Sequence, residues 1–254
     1  MVAEFASDVV VIFTMVYVVH LGAYFGLGGM LSSINRRHPA RRLQPARRGE
    51  TRATAEIRAS LIALLPISAL MAIGLAAQAH GLGLFAPLEV TLWQWIGLLG
   101  LTLVIYDAWF YWAHRLMHWR PLYRFHRLHH RSVAPTVWST YSDHPVDATV
   151  HQAFLLIAPL VLPIPPGILI AHRIIDHING QIGHSGFEYF AGPAARIPWP
   201  GLCVAFHDDH HARFTCNFGN FLSIWDRIMG TISPDYDQRV QSLEQMETSH
   251  RTGK

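Results

Sequence analysis

Seventeen histidines stand among 254 residues, and eight of them fall in three short clusters. The first is His114-Arg115-Leu116-Met117-His118, the second His126-Arg127-Leu128-His129-His130, and the third His207-Asp208-Asp209-His210-His211. Residues three or four apart share one face of a helix, so each cluster is expected to present its two or three imidazoles in one direction. Neutral imidazole suits iron, zinc, copper and nickel, so the residue type points to a metal without selecting it. Eight rings exceed the roughly six positions around one ion, and two ions in a shared pocket are expected. His184, in Gly183-His184-Ser185-Gly186, is expected as a ninth ligand. His177 lies seven residues earlier, on the same face if the helix continues, and is a candidate tenth. His20, His38, His80, His151, His172 and His250 read as hydrogen-bonded or solvated side chains. His144, ahead of Pro145, stands between a place beside the metal and a turn. A zinc protease of the HExxH type is excluded, because Arg115, Arg127 or Asp208 occupies the position its general-base Glu needs.

The elements that must hold these rings read as membrane helices. The chain is 51% hydrophobic and only 15% charged, against about a quarter charged in soluble domains. An apolar segment runs from about Val9 to Leu31, with Asp8 ahead of it; no Lys or Arg precedes it, and a cleaved signal peptide is not expected. Arg36, Arg37, Arg41, Arg42, Arg47, Arg48, Arg52 and Arg58 follow, against only Glu50 and Glu56. Such a basic loop is expected on the cytoplasmic side, with the amino terminus outside. A second apolar segment spans about Leu61 to Leu84, and a link with no basic residue through Pro87 and Glu89 leads to a third, from Thr91 to Tyr106. Trp109 to Asp147 is aromatic, basic and His-rich, as an interfacial or cytoplasmic helical region would be. Residues 148–171 are uncharged but broken by Pro163, Pro165 and Pro166. One crossing would put His184 and the last cluster across the membrane from the others, so a hairpin of two short helices is expected. The fold expected is all-α: an integral membrane helical bundle with a cytoplasmic His-rich helical cap. Its divisions are 1–99 (N-terminal membrane helices and the basic loop), 100–234 (the metal domain) and 235–254 (a C-terminal tail).

Cys203 and Cys216 form no CxxC pair and read as two small buried thiols rather than a disulfide. The basic balance comes from arginine in one loop, which fits membrane orientation and not nucleic-acid binding.

From Asp107 to Thr231 the chain resembles the fatty acid hydroxylase / sterol desaturase superfamily of membrane di-iron enzymes. The resemblance rests on Asp107 with Tyr111, Trp112 and the HRxxH cluster, on HxxHH at His126, and on His144-Pro145. It continues through the Gly-His-Ser-Gly at His184 and HxxHH at His207, and closes with Asn217, Gly219, Trp225, Asp226, Gly230 and Thr231. One departure is Asp147, at a position where Glu is commoner. The resemblance implies His114, His118, His126, His129, His130, His184, His207, His210 and His211 as ligands of two irons (sites zinc could fill in purified material). It also implies O2 as co-substrate, external electrons and a lipid substrate.

Breaking an unactivated C–H bond is beyond side-chain acids and bases, so a redox metal must supply that step. Asp107, Asp143, Asp176, Asp208 and Asp209 are candidates to accept the second N–H of the ligating rings. Asp107, seven residues before His114, is the first of these. Trp225 and Asp226 are expected to fix a helix end. Arg115 and Arg127 are read as partners of Asp or of lipid headgroups. No haem, flavin or nicotinamide fingerprint is present, so electrons are expected from a separate electron-transfer protein. The function expected is hydroxylation or desaturation of a sterol, fatty acyl or related lipid. A non-catalytic membrane metal-binding protein or a metal transporter is the alternative; a transporter would place its ligands near the bilayer midplane.

Overall fold

The structure, a computed structural model, describes residues 2–46 and 52–252. Three helices are long and apolar enough to cross a membrane: α1 (Val2–Arg37), α2 (Ala53–Ala79) and α3 (Leu92–Met117). At 1.5 Å per residue even α3 extends about 39 Å, more than the roughly 30 Å of hydrocarbon. Val11, Met15 and Val18 of α1 and Ile96, Leu101 and Val104 of α3 face outward, a surface suited to lipid rather than water. Among the described residues there is no strand, only isolated bridges at Arg42–Phe187 and Gly201–Leu222. The molecule is a membrane helical bundle.

The helix limits depart from the apolar segments in instructive ways. Helix α1 overruns Val9–Leu31 at both ends, carrying Arg36 and Arg37 in its last turn. Helix α2 starts at Ala53 and stops at Ala79, because Gly81 turns the chain at φ 71°. Helix α3 begins at a capping box made by Thr91 and Gln94. It does not end at Tyr106 but carries on through the first His cluster. No Pro or Gly lies between Gly100 and Pro121, and Asp107 and His114 point into the protein, so polarity does not end the helix.

Past α3 the chain makes a single turn, α4 (Tyr123–His126), and a 3₁₀ turn at His129–Arg131. Then come α5 (Pro145–Gln152), α6 (Phe154–Val161) and α7 (Pro166–Gly183). Pro163, Pro165 and Pro166 forbid a continuous helix. The tip instead rests on the α2–α3 link, where Leu84 N donates to Leu160 O (2.7 Å) and Leu88 N to Pro163 O (3.0 Å). Residues 148–187 are thus a hairpin, and α7 returns His184 to the end of the bundle that holds the other clusters. The main core joins Tyr24, Leu64, Ile67, Met71, Tyr106, Phe154, Leu155, Ile168 and Leu169. Helix α6 lies so close to α2 that a Cβ at Gly74 would come within 2.6 Å of Leu155 O.

The last helices are α8 (Val204–Arg213), α9 (Ile224–Ile228) and α10 (Tyr236–Thr252). The segment expected as a tail docks: Tyr236 and Val240 are buried against Ala205 and Phe206. The chain after α1 is strapped to the turn beyond His184 by Leu43 N→Gly186 O (3.0 Å) and Glu188 N→Arg41 O (2.9 Å). Arg47, Arg48 and Glu50 of the basic loop lie outside the described residues. Cys203 and Cys216 are free and buried.

Candidate metal centre

The nine expected histidines come together, drawn from α3, the α4 region, the end of α7 and α8. They form two groups, His114, His118, His126, His130 and His210 in one and His129, His184, His207 and His211 in the other. Within each group one ring nitrogen per residue lies within 4.8 Å of all the others. In the group of five, His114 Nε2 is 3.2 Å from His126 Nε2, His118 Nε2 is 3.0 Å from His130 Nε2, and His210 Nε2 is 3.1 Å from His130 Nε2. In the group of four, His184 Nε2 is 3.3 Å from His129 Nε2 and 2.9 Å from His207 Nε2, and His211 Nε2 is 3.0 Å from His207 Nε2.

The clusters do not each point one way. His114 and His118 stay together, but both HxxHH clusters divide. His126 and His130 join the group of five while His129 joins the other; His207 and His211 join the group of four while His210 crosses over. In α8 the physical reason is helical phase. Residues four apart return almost to the same face, whereas the residue at three is rotated to its side. With two centres side by side, that offset aims the middle ring at the neighbour.

Five of the rings meet an acceptor at the outer nitrogen. His114 Nδ1 donates to Phe218 O (2.9 Å), His210 Nδ1 to Cys216 O (2.7 Å) and His184 Nδ1 to Gly180 O (2.7 Å). His126 Nδ1 donates to Asp147 Oδ2 (2.8 Å), and His129 Nδ1 lies 2.7 Å from Asp143 Oδ1. A carbonyl or carboxylate oxygen accepts only, so the proton sits on Nδ1 and the lone pair on Nε2. Burial and the crowd of neighbouring rings hold His118 at about 3 and His184 at about 3; burial holds His126 at about 4 although Asp147 opposes it. These rings are neutral near pH 7. His114 and His126, each with its proton on Nδ1, turn lone pairs toward each other across 3.2 Å, which repel. A cation at the focus of each group turns such a contact into ligation, so the donor set fits two borderline metal ions.

The turn after α8 supplies two of those acceptors. Phe214 adopts φ 64° with its ring against His130 (centroids 4.7 Å). A non-glycine residue in this left-handed region is unusual and is held there by its packing. The reversal lays residues 215–219 back along the bundle, bringing the Cys216 and Phe218 carbonyls over His210 and His114. Asp226 locks the same segment, accepting from Phe218 N (2.9 Å), Gly219 N (2.7 Å) and Thr231 Oγ1 (2.7 Å). Asp226 was expected to fix a helix end; these bonds instead pin the loop at Phe218 and Gly219.

Several expected neighbours of the metal do something else. Asp107 Oδ1 accepts from the backbone of Phe221 (2.8 Å) and Leu222 (3.1 Å), so it anchors a loop and does not touch His114 Nδ1, which the Phe218 carbonyl has taken. His144 caps α5 by accepting from Val146 N (3.2 Å) and packs on Phe125. His177 joins neither group; its Nδ1 bonds Tyr141 Oη (2.8 Å) and its ring stacks on His20. Asp208 and Asp209 sit on the side of α8 turned away from the rings and pair with Arg239 of α10. Asp176 pairs with Arg173 (2.6 Å). Arg115 lies over Tyr111, Trp112 and Phe218 rather than against an Asp. Asp143 does meet a ring, that of His129.

Asp147 is the carboxylate that residue spacing did not single out. It is buried between His126 and His151, whose Nδ1 lies 3.0 Å from its Oδ1. Burial pushes its carboxyl up, but the two imidazoles more than offset this and hold it well below the usual range. Pro145 at the first position of α5 sets Asp147 in the first turn, where the helix dipole also favours a negative charge. His144-Pro145 followed by an acid two residues on was the available signal.

A cavity of about 420 Å³ opens beside both groups. His114 and His126 of one and His129, His184 and His207 of the other form part of its wall, and Ile67, Phe110, Ile175, Ile178 and Phe221 supply an apolar lining. Its size and largely apolar character match a site for a hydrophobic small molecule.

The arrangement can be set beside known proteins. The chain is 30% identical over 132 residues to a delta(7)-sterol 5(6)-desaturase of Gibberella zeae, covering 52% of this chain and 36% of that protein. It is 33% identical over 131 residues to methylsterol monooxygenase 1 of Gallus gallus, covering 51% of this chain and 44% of the relative. It is 32% identical over 126 residues to lathosterol oxidase of Homo sapiens, covering 49% and 41%. The chain thus spans less than half the length of these curated relatives. No solved structure matches it. A sequence model described as fatty acid hydroxylase matches residues 99–231, over half the chain and the whole stretch from the first His cluster to the Asp226–Thr231 lock. The chain belongs to the fatty acid hydroxylase family.

Proposed function

We propose that this chain is an O2-dependent membrane oxidoreductase that hydroxylates or desaturates a C–H bond of a lipid at a di-iron centre. The nine histidines of the two groups are its ligands in this reading. The observation that carries it is the convergence of nine imidazoles, Nε2 inward, into a five-ring and a four-ring focus on the wall of an apolar cavity. Iron, when bound, supplies the O2 chemistry that no side chain here can perform. The family and the sterol-modifying relatives support the lipid substrate.

The chain's own residues bind, orient and exclude water. Ile67, Phe110, Ile175, Ile178 and Phe221 bury a hydrocarbon body against the rings, and keep water from the reacting carbon. Asp147 holds the Nδ1 proton of His126, which keeps its Nε2 turned inward, and Asp143 lies 2.7 Å from Nδ1 of His129, so each focus has one such carboxylate. In this reading the His end of the bundle faces the cytoplasm, where Arg36, Arg37, Arg41 and Arg42 also lie and a separate electron-transfer protein delivers electrons.

The test is metal analysis of the chain purified in lipid nanodiscs, combined with lipid profiles of a host with and without the gene under O2 and under argon. About two irons per chain and a lipid product formed only with O2 are expected. A chain saturated with zinc alone, with lipid profiles indifferent to O2, would overturn the proposal.

A further inference from the structure

Gln152, the last residue of α5, carries a buried acceptor that nothing in the described chain answers. The residue is only 6% exposed. Its Nε2 donates to Tyr106 Oη (2.9 Å) and to Asp176 Oδ2 (3.2 Å). That carboxylate oxygen also takes Arg173 (2.6 Å) and can only accept, so the amide nitrogen must face it and Oε1 must turn away. Oε1 is buried with no hydrogen-bond partner, and Gln152 lines the cavity.

Two neighbouring donors are already engaged. Asn220 Nδ2 donates to Asp176 Oδ1 (3.0 Å), and Asn179 Nδ2 to Asn220 O (2.9 Å) and Oδ1 (3.1 Å). Gln152 thus leaves an unanswered acceptor in this wall. A buried polar group is unfavourable unless paired, so the missing partner is a donor brought by whatever fills the cavity. The apolar lining limits that donor to one polar group on a hydrophobic body. The preceding residue, His151, has its ring centroid 5.4 Å from that of His114 and 5.7 Å from that of His126.

We propose that Gln152 Oε1 accepts a hydrogen bond from a hydroxyl group of the lipid, so that the cavity selects a hydroxyl-bearing lipid and orients it by that group. The proposal rests on the lipid-oxidoreductase reading for its substrate and adds the polar handle by which the substrate is held.

The experiment is equilibrium binding to the metal-loaded chain in nanodiscs with two probe series. One series is cholesterol, its methyl ether and its 3-ketone; the other is octadecanol, its methyl ether and octadecanal. The ether and the carbonyl compound both lack the O–H, one being larger and the other no larger than the alcohol, so size and donation are separated. The alcohol is expected to bind about tenfold or more tighter than either in one series, and that series identifies the source of the hydroxyl. Gln152→Met, accepted for comparison only if it retains its metals, is expected to erase the preference. Equal binding of alcohol and carbonyl compound by the wild-type chain in both series overturns the proposal whether or not the variant folds. So does a preference that survives in Q152M. Iron with O2-dependent product but no alcohol preference refutes this inference alone, whereas an alcohol preference in a chain without iron or O2 dependence refutes the function it was added to.

Discussion

Asp147 shows how much of the candidate metal site sits behind its rings. It touches no metal position itself, yet it holds the outer nitrogen of His126 at 2.8 Å and lies against His151. Replacing such an outer partner costs about 10- to 100-fold in metal affinity. Asp147→Ala is expected to show that loss in chelator competition, and unchanged affinity would remove it from the site. The crossed division of the HxxHH clusters makes a sharper prediction. His118→Ala strips a ring from the group of five and His129→Ala one from the group of four. Each is expected to lower bound metal from about two ions per chain to about one, measured by elemental analysis; simultaneous loss of both from H129A would mean one indivisible site. The rings themselves were legible in the sequence because three- and four-residue spacing is a local signal. Their outer partners were not, since the Cys216 and Phe218 carbonyls are backbone atoms, and no residue type announces a carbonyl placed by a distant turn.

Among the elements, the α2–α6 contact is the tightest constraint on the hairpin. A side chain at Gly74 would meet Leu155 O at 2.6 Å and Pro159 Cγ at 2.9 Å, whereas at Gly97, on the outward side of α3, nothing lies within 4 Å. Overpacking a helix contact costs about 1–3 kcal/mol. Gly74→Leu is therefore expected to lower the thermal midpoint in detergent clearly, and Gly97→Leu to leave it unchanged or slightly raised. Equal effects would mean that the two helices are not in close contact. The three long helices were readable from apolar length, and the hairpin from the need to keep His184 beside the other clusters. Two things were hidden. Helix α3 overran its apolar stretch because its polar residues face inward, and polarity in sequence does not report direction. Helix α10 looked like a tail because its buried residues, Tyr236 and Val240, are isolated in a charged run whose partners on α8 are remote in sequence.

At the scale of the whole molecule, the clustered His end and the α2–α3 link lie at opposite ends of the bundle. With the basic residues after α1 at the His end, the charge bias is the one expected of a cytoplasmic end, as the proposed function has it. Single cysteines at Arg37 and Arg124 are expected to be shielded from a membrane-impermeant thiol reagent in intact cells, and one at Ala86 to be labelled; all three positions are exposed, and the native Cys203 and Cys216 are buried. The opposite pattern would invert the topology. Helix α8 has a consequence of its own. It grips one focus with His210 and the other with His207 and His211, all within little more than a single coil. In the di-iron reading the gap between two bound ions would thereby be gauged by the helix rather than by a flexible loop. Seating the first ion stiffens the scaffold that must receive its companion, so loading is expected to be cooperative, with half-filled chains scarce at every stage of a titration.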